Sequence, residues 1–204
     1  MTNPVAKKVV GVELGDEVPQ RGNRLSHTLA IVVLALLGWR IRGEFPNIPK
    51  VLLVVAPHTS NWDMVFGMLL MFAVGLRVSF MGKHTLFKRP FRGIMHWFGG
   101  VPVNRHASQG LVGQMVDGFA KRERFVLAIL PEGTRSRVGQ WKLGFYHIAV
   151  GAGVPLLALK FDYGRKVLEF GPTFHPTGSL EADLPQIQAI FHNVKGKNPQ
   201  NYGI

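Results

Sequence analysis

The sequence predicts an α/β fold, a mainly parallel mixed sheet flanked by helices. Three observations carry that reading. Val51–Ala56 (VLLVVA), Arg124–Leu130 (RFVLAIL) and Pro155–Phe161 are short, nearly continuous apolar runs, the pattern of strands buried on both faces. Stretches long enough for helices lie between them, the alternation of a parallel sheet with crossover helices. At 204 residues, 47% of them hydrophobic, the chain suffices for one domain with a substantial core.

Taken in order, residues 1–23 mix Gly, Pro and charge with little periodicity and are expected to form a loosely ordered lead-in. Residues 24–42 form a separate apolar segment, and 43–204 the main domain. Within that domain Val51–Ala56 is the first buried strand, followed by a Met-, Leu- and Phe-rich helix from Asn61 to Val74. Arg77–Met81 reads as a short strand, Pro90–Phe98 as a helix with proline in its first turn, and Val101–Val103 as a brief strand. Ser108–Lys121 reads as a helix despite its glycines. Arg124–Leu130 is the next buried strand and Leu143–Ala152 the next helix. Pro155–Phe161 and Lys166–Phe170 form a strand pair across Asp162–Arg165, and Leu184–Val194 is the last helix.

The apolar segment Leu25–Trp39 (LSHTLAIVVLALLGW) carries no formal charge and is bracketed by Arg21 and Arg24, then by Arg40 and Arg42. As a helix it reaches roughly 22 Å, short of the ~30 Å hydrocarbon core, so a full span is not expected. Two roles stay open: a buried core helix, or a helix lying in one leaflet with arginines on lipid phosphates at both ends. The bracketing arginines and Trp39 favour the second, an amphipathic, monotopic membrane-associating helix over 24–42.

The 24 Lys and Arg residues against 12 Asp and Glu leave a formal charge of +12. Such a surface attracts nucleic acid, anionic lipid or acidic proteins, or simply keeps an apolar chain soluble. The basic residues are spread along the chain without a zinc-finger or RNA-binding signature, so nucleic acid is not an expected partner. The absence of cysteine excludes disulfides, thiolate chemistry and Cys-based zinc sites. The histidines include no H-E-x-x-H arrangement, and no metal is expected.

The sharpest polar cluster, Pro57-His58-Thr59-Ser60-Asn61-Trp62-Asp63, directly follows the first strand, where α/β folds place their sites. On one continuous helix the spacing of His58 and Asp63 would set them about 140° apart. They can meet only with His58 in the loop and Asp63 in the first helical turn. Pro57, and Ser60 or Asn61 as N-cap, supply that break. A histidine held by a carboxylate is the arrangement that activates a hydroxyl nucleophile. The competing role is structural: Ser60-x-x-Asp63 resembles a capping box. Backbone N–H groups at the start of the Asn61 helix are candidate oxyanion donors.

A second block, Pro131-Glu132-Gly133-Thr134-Arg135-Ser136, follows another buried strand. Gly133 permits close backbone approach to a ligand, Arg135 suits phosphate, and Glu132 can orient that arginine or accept from a polyol hydroxyl. A solvated turn is the plain alternative. Gly99–Arg105 places Asn104 and Arg105 after a short strand, in reach of a phosphate or simply on the surface. Gly153–Leu159 is an apolar strand entry, either core or the lining of an acyl channel.

From about Val51 to Phe174, these blocks in this order resemble the glycerolipid acyltransferase family typified by the 1-acyl-glycerol-3-phosphate acyltransferases. His58-x-x-x-x-Asp63 is similar to the family's catalytic H-x4-D. Gly100–Arg105 is similar to a second block ending in a phosphate-contacting arginine. Pro131–Ser136 is similar to its P-E-G-T-R-S signature, and Val154-Pro155 to the start of its fourth block. Lys83 stands where the family often places a lysine near the acceptor. The chain departs from the pattern at Pro102, Asn104 and Ala158.

The resemblance implies that 43–204 is an acyltransferase domain. It would move a fatty acyl group from acyl-CoA or acyl carrier protein to the hydroxyl of a lysophospholipid or glycerol-phosphate-like acceptor. His58 and Asp63 would be catalytic, and Lys83, Asn104, Arg105, Glu132, Gly133, Thr134 and Arg135 substrate-binding. No cofactor is expected beyond the acyl donor as co-substrate. The expected partners are that donor, a lyso-lipid acceptor and a membrane phospholipid surface, with the chain peripheral or monotopic on the cytoplasmic face. The alternative is a catalytically silent member of the same fold that binds anionic lipid.

Overall fold

The residues of Lys50–Ala56 (β2) alternate between two cores. Val51, Leu53 and Val55 join the cluster on one face, and Leu52, Val54 and Ala56 the cluster on the other. This is the period of two that a pleated strand imposes. A strand apolar on both sides needs cover on both sides, which places it in the middle of the sheet.

The computed structural model describes residues 4–83, 87–90, 92–104 and 110–203. Among these, seven strands form one sheet: β1 (Arg40–Gly43), β2, β3 (Ser79–Lys83), β4 (Gly100–Val103), β5 (Phe125–Ile129), β6 (Leu156–Asp162) and β7 (Val167–Phe174), in the order β1-β7-β6-β2-β5-β3-β4. Neighbours are parallel except β6 and β7, an antiparallel pair. The C-terminal ends of β2, β5, β3 and β4 therefore line one edge of the sheet.

The helices are α1 (Pro4–Val9), α2 (Arg24–Leu37), α3 (Trp62–Val74), α4 (Arg92–Trp97), α5 (Gly110–Ala120), α6 (Gly144–Ala152) and α7 (Leu180–Ala189). Ala30, Ile31 and Leu34 of α2 and Phe66, Leu70 and Ala73 of α3 pack on one face of the sheet. Met115 and Phe119 of α5, Phe145 and Ile148 of α6 and Ile187 of α7 pack on the other. The fourth block is core: Leu156, Leu157, Ala158 and Leu159 are all buried.

The N-terminal third differs from expectation. Instead of a loose lead-in, Val9, Val12 and Val18 are buried, and Val10 bridges Ile41. Helix α2 does not run to residue 42. Asn23 and Ser26 cap its start reciprocally, and Gly38, at φ 73°, ends it with its N–H on the carbonyls of Leu34 and Ala35. Arg40–Gly43 then forms β1, with Ile41 fully buried between polar neighbours. Trp39, expected at a membrane surface, is core, stacked on Phe66 at 4.0 Å. Arg42 donates to the carbonyls of Lys8 (2.8 Å) and Val9 (3.2 Å) at the end of α1, which accounts for its guanidinium without a lipid phosphate. One face of α2 is buried, but Leu25, Leu29, Val32 and Leu36 project from the other at i, i+4, i+7 and i+11. No helix among the described residues is long and apolar enough to cross a membrane.

Candidate active site

Strand β2 ends at Ala56, and the chain turns through Pro57–Asn61 into α3. That break brings His58 and Asp63 together: His58 Nδ1 lies 3.0 Å from Asp63 Oδ2. The Asp63 side chain is 1% exposed and the His58 ring 19%. Oδ2 also accepts the N–H groups of Thr59 (2.9 Å) and Ser60 (3.0 Å), and Oδ1 accepts the Tyr163 hydroxyl at 2.6 Å. A carboxylate that accepts from every neighbour makes Nδ1 the ring nitrogen that donates to it, and in the neutral imidazole the acceptor is then Nε2. The capping role and the histidine-holding role are not alternatives, because one oxygen performs both.

Three of the expected oxyanion donors are engaged within the turn. Trp62 N–H goes to Ser60 Oγ (3.2 Å), Asp63 N–H to the Ser60 carbonyl (3.3 Å) and Met64 N–H to the Asn61 carbonyl (3.3 Å). The start of α3 thus uses its free N–H groups to fix its own turn.

The second block sits on the neighbouring strand end, since β5 pairs with β2 in parallel. Glu132 is buried, and its Oε1 accepts the His58 backbone N–H at 2.9 Å. It does not orient Arg135, which instead donates to Asn61 Oδ1. Glu132 Oε2 is buried without a hydrogen-bond partner among the described residues. Burial pushes the Glu132 carboxyl above its ordinary range, against the opposing pull of the backbone N–H groups of His58 and of Glu132 itself. Thr134 is exposed and its Oγ1 accepts the Ser136 N–H (3.3 Å), a local turn contact. Gly133 has φ 63°, and a Cβ there would meet the Lys142 side chain at 2.7–2.9 Å. What approaches this glycine closely is Lys142, whose N–H is held by the Pro131 carbonyl at 2.8 Å.

Lys83 and Asn104 lie farther along the same edge. Lys83 ends β3, paired in register with Val103 of β4. Asn104 follows β4, exchanging hydrogen bonds with Gln114 through its backbone at 2.9 and 2.7 Å. Three interstrand steps separate β4 from β2, about 14 Å, so Asn104 lies on the same edge as the dyad. Arg105 lies outside the described residues.

Two contributors have no signal in the sequence pattern. Tyr163 comes from the turn between β6 and β7. Asn198 comes from the C-terminal segment, donating from Nδ2 to the Thr59 carbonyl (2.9 Å) and from its N–H to Thr59 Oγ1 (3.2 Å). The same segment places Lys197 Nζ 4.6 Å from the Trp62 ring centre and gives its Lys195 carbonyl to the Tyr163 N–H at 2.8 Å.

The family model described as Acyltransferase matches residues 41–161. The 1-acyl-sn-glycerol-3-phosphate acyltransferase of Escherichia coli (strain K12) is 34% identical over 110 residues, 50% of this chain and 43% of that protein. The protein of the same name from Haemophilus influenzae is 24% identical over 183 residues, 79% of this chain and 75% of that one. The chain thus spans less than half the length of the Escherichia coli relative. Among solved structures, the 1-acyl-sn-glycerophosphate acyltransferase PlsC from Thermotoga maritima matches with a TM-score of 0.57 at 20% identity, over 82% of this chain and 76% of that one, a likeness of fold. The region matched by the family model takes in His58, Asp63 and the Glu132–Arg135 turn, and by that match the chain belongs to the acyltransferase family.

Proposed function

We propose that the chain is an O-acyltransferase that moves a fatty acyl group from a thioester, acyl-CoA or acyl carrier protein, onto the free hydroxyl of a lysophosphatidic acid-like acceptor. The observation that carries this is the His58–Asp63 pair at 3.0 Å, in which Asp63 takes up Nδ1 and the other ring nitrogen, Nε2, is assigned as the base. Nε2 takes the acceptor hydroxyl proton as that oxygen attacks the thioester carbonyl carbon. A new C–O bond forms, the C–S bond breaks, and the departing thiolate recovers the proton from His58 as a thiol. Asp63 stabilises the imidazolium in between. The acceptor class is supported by the names of the relatives, 1-acyl-sn-glycerol-3-phosphate acyltransferases. Arg135, Lys83, Asn104 and Arg105 are assigned to its phosphate.

The same reading places the chain on the cytoplasmic face of a membrane, peripheral or monotopic. Leu25, Leu29, Val32 and Leu36 give α2 an exposed apolar stripe, and Ile94 and Trp97 of α4 are exposed as well. A cleft of about 550 Å³ is lined by Leu29 of α2, Leu69 and Phe72 of α3 and Trp97 of α4. Arg21 stands at it, its guanidinium 5.2 Å from the Phe72 ring centre and 4.9 Å from that of Trp97. A cation beside an apolar cleft suits a lipid headgroup with its chains.

The test is acyl transfer to lysophosphatidic acid in vesicles, with both donors, by wild type and His58→Ala. Loss of turnover in His58→Ala with vesicle binding retained is expected. Transfer at the wild-type rate would refute the assignment.

A further inference from the structure

We propose that Tyr163 is a positioning residue of the reaction, its hydroxyl locking the Asp63 carboxylate so that His58 is held with Nε2 aimed at the acceptor. The proposal rests on the reading of His58 and Asp63 as the catalytic pair. Asp63 Oδ2 is saturated by His58 Nδ1 and the N–H groups of Thr59 and Ser60. All three come from one short loop, so they fix one end of the carboxylate and leave its plane free to turn about that end. The Tyr163 hydroxyl, 2.6 Å from Oδ1, fixes the other end from a different part of the chain. With Asp63 almost wholly buried, losing that donor strips Oδ1 of the hydrogen bond that satisfies it.

The tyrosine is itself built in. Its ring meets Trp39 edge-on at 4.8 Å and Phe66 at 5.7 Å, and its N–H is held by the Lys195 carbonyl. The turn that presents it is tied by Asp162, which accepts the Arg165 N–H (3.0 Å) and Arg165 Nε (2.6 Å). Burial, reinforced by the hydrogen bond to Asp63 and that residue's charge, pushes the phenol far above its ordinary value. The hydroxyl therefore remains a donor throughout the working pH range.

Tyr163 acts through Asp63 and touches neither substrate. Its removal is expected to lower kcat about ten-fold, the lower end of what a hydrogen bond to a charged group contributes, and to leave KM for donor and acceptor unchanged. The experiment measures kcat and KM for wild type, His58→Ala, Tyr163→Phe, Asp63→Asn and the Tyr163→Phe/Asp63→Asn double variant. Phenylalanine keeps the ring packing and deletes only the hydroxyl. In the Asp63→Asn background the tyrosine substitution should cost distinctly less than in wild type, because the counter-charge it positions is gone and only the orientation of a neutral amide remains to be lost. Three results overturn the proposal: wild-type kcat in Tyr163→Phe, the same ten-fold loss in both backgrounds, or a Tyr163→Phe chain that does not fold. The outcomes separate the two layers of argument. An inactive His58→Ala beside a wild-type-like Tyr163→Phe removes the tyrosine alone, whereas an active His58→Ala removes the base it serves.

Discussion

Glu132 Oε1 accepts the backbone N–H of His58 at 2.9 Å, tying the turn after β5 to the turn after β2. The carboxylate holds the main chain of the histidine while Asp63 holds its ring. The imidazole is thus fixed from two strands of the sheet.

Holding a backbone N–H with a buried carboxyl costs stability. Burial raises the Glu132 carboxyl above its ordinary value in the folded state, so between that value and the folded one the native state binds more protons than the unfolded state. Wild-type stability therefore falls as pH rises through this window and stays reduced above it. Glu132→Gln keeps the acceptor oxygen and drops the charge. It should melt a few degrees higher than wild type at pH 7, and the gap should close as pH falls towards the ordinary carboxyl range. Thermal melts of both chains across that range check the sign.

Asp63→Asn separates orientation from charge. With its amide oxygen in place of Oδ2 it still accepts the loop N–H groups, and its NH2 faces the Tyr163 oxygen, which can accept. The fold and the His58 tautomer should survive, while the imidazolium loses its counter-charge. A fall in kcat of about 10²–10⁴ is expected with an unchanged circular dichroism spectrum. A near-normal rate would leave Asp63 with only the capping role.

Asn198→Ala removes the bond from Nδ2 to the Thr59 carbonyl. Thr59 is buried, so its carbonyl would be left short of a partner at a cost of about 1–2 kcal/mol. That corresponds to a drop in Tm of about 2–8 °C for a chain of this size. Denaturant titration gives the free energy directly.

Leu29→Glu with Leu36→Glu tests the exposed face of α2. The two leucines are 61% and 82% exposed, and surface changes of this kind shift stability by only about 0.5 kcal/mol each. If the stripe enters lipid, losing two leucines should lower partition into anionic vesicles by about 100-fold or more. Sedimentation with vesicles, read beside the melting temperature, separates the two effects.

The central strands were legible because apolar runs such as Val51–Ala56 have few other uses in so short a length. The His58–Asp63 pair was legible because both residues belong to one turn and Pro57 marks it. Strand β1 was not: Arg-Ile-Arg-Gly reads as polar, and only the burial of Ile41 reveals its place in the sheet. The tie from Glu132 to His58 was not legible because its partner is a main-chain N–H, which no side-chain pattern announces. Tyr163 and Asn198 reach the turn from about a hundred residues or more away. A lone tyrosine in a hairpin turn and a lone asparagine near the terminus carry no local mark of that journey.

The signature residues and the machinery that steadies them do not end at the same place in the chain. A fragment cut after Phe161 would keep every recognisable motif, yet it would lose β7, the phenol on the buried aspartate and the clasp on Thr59. Anyone grafting this catalytic loop into another scaffold would have to carry its distant supports along with it.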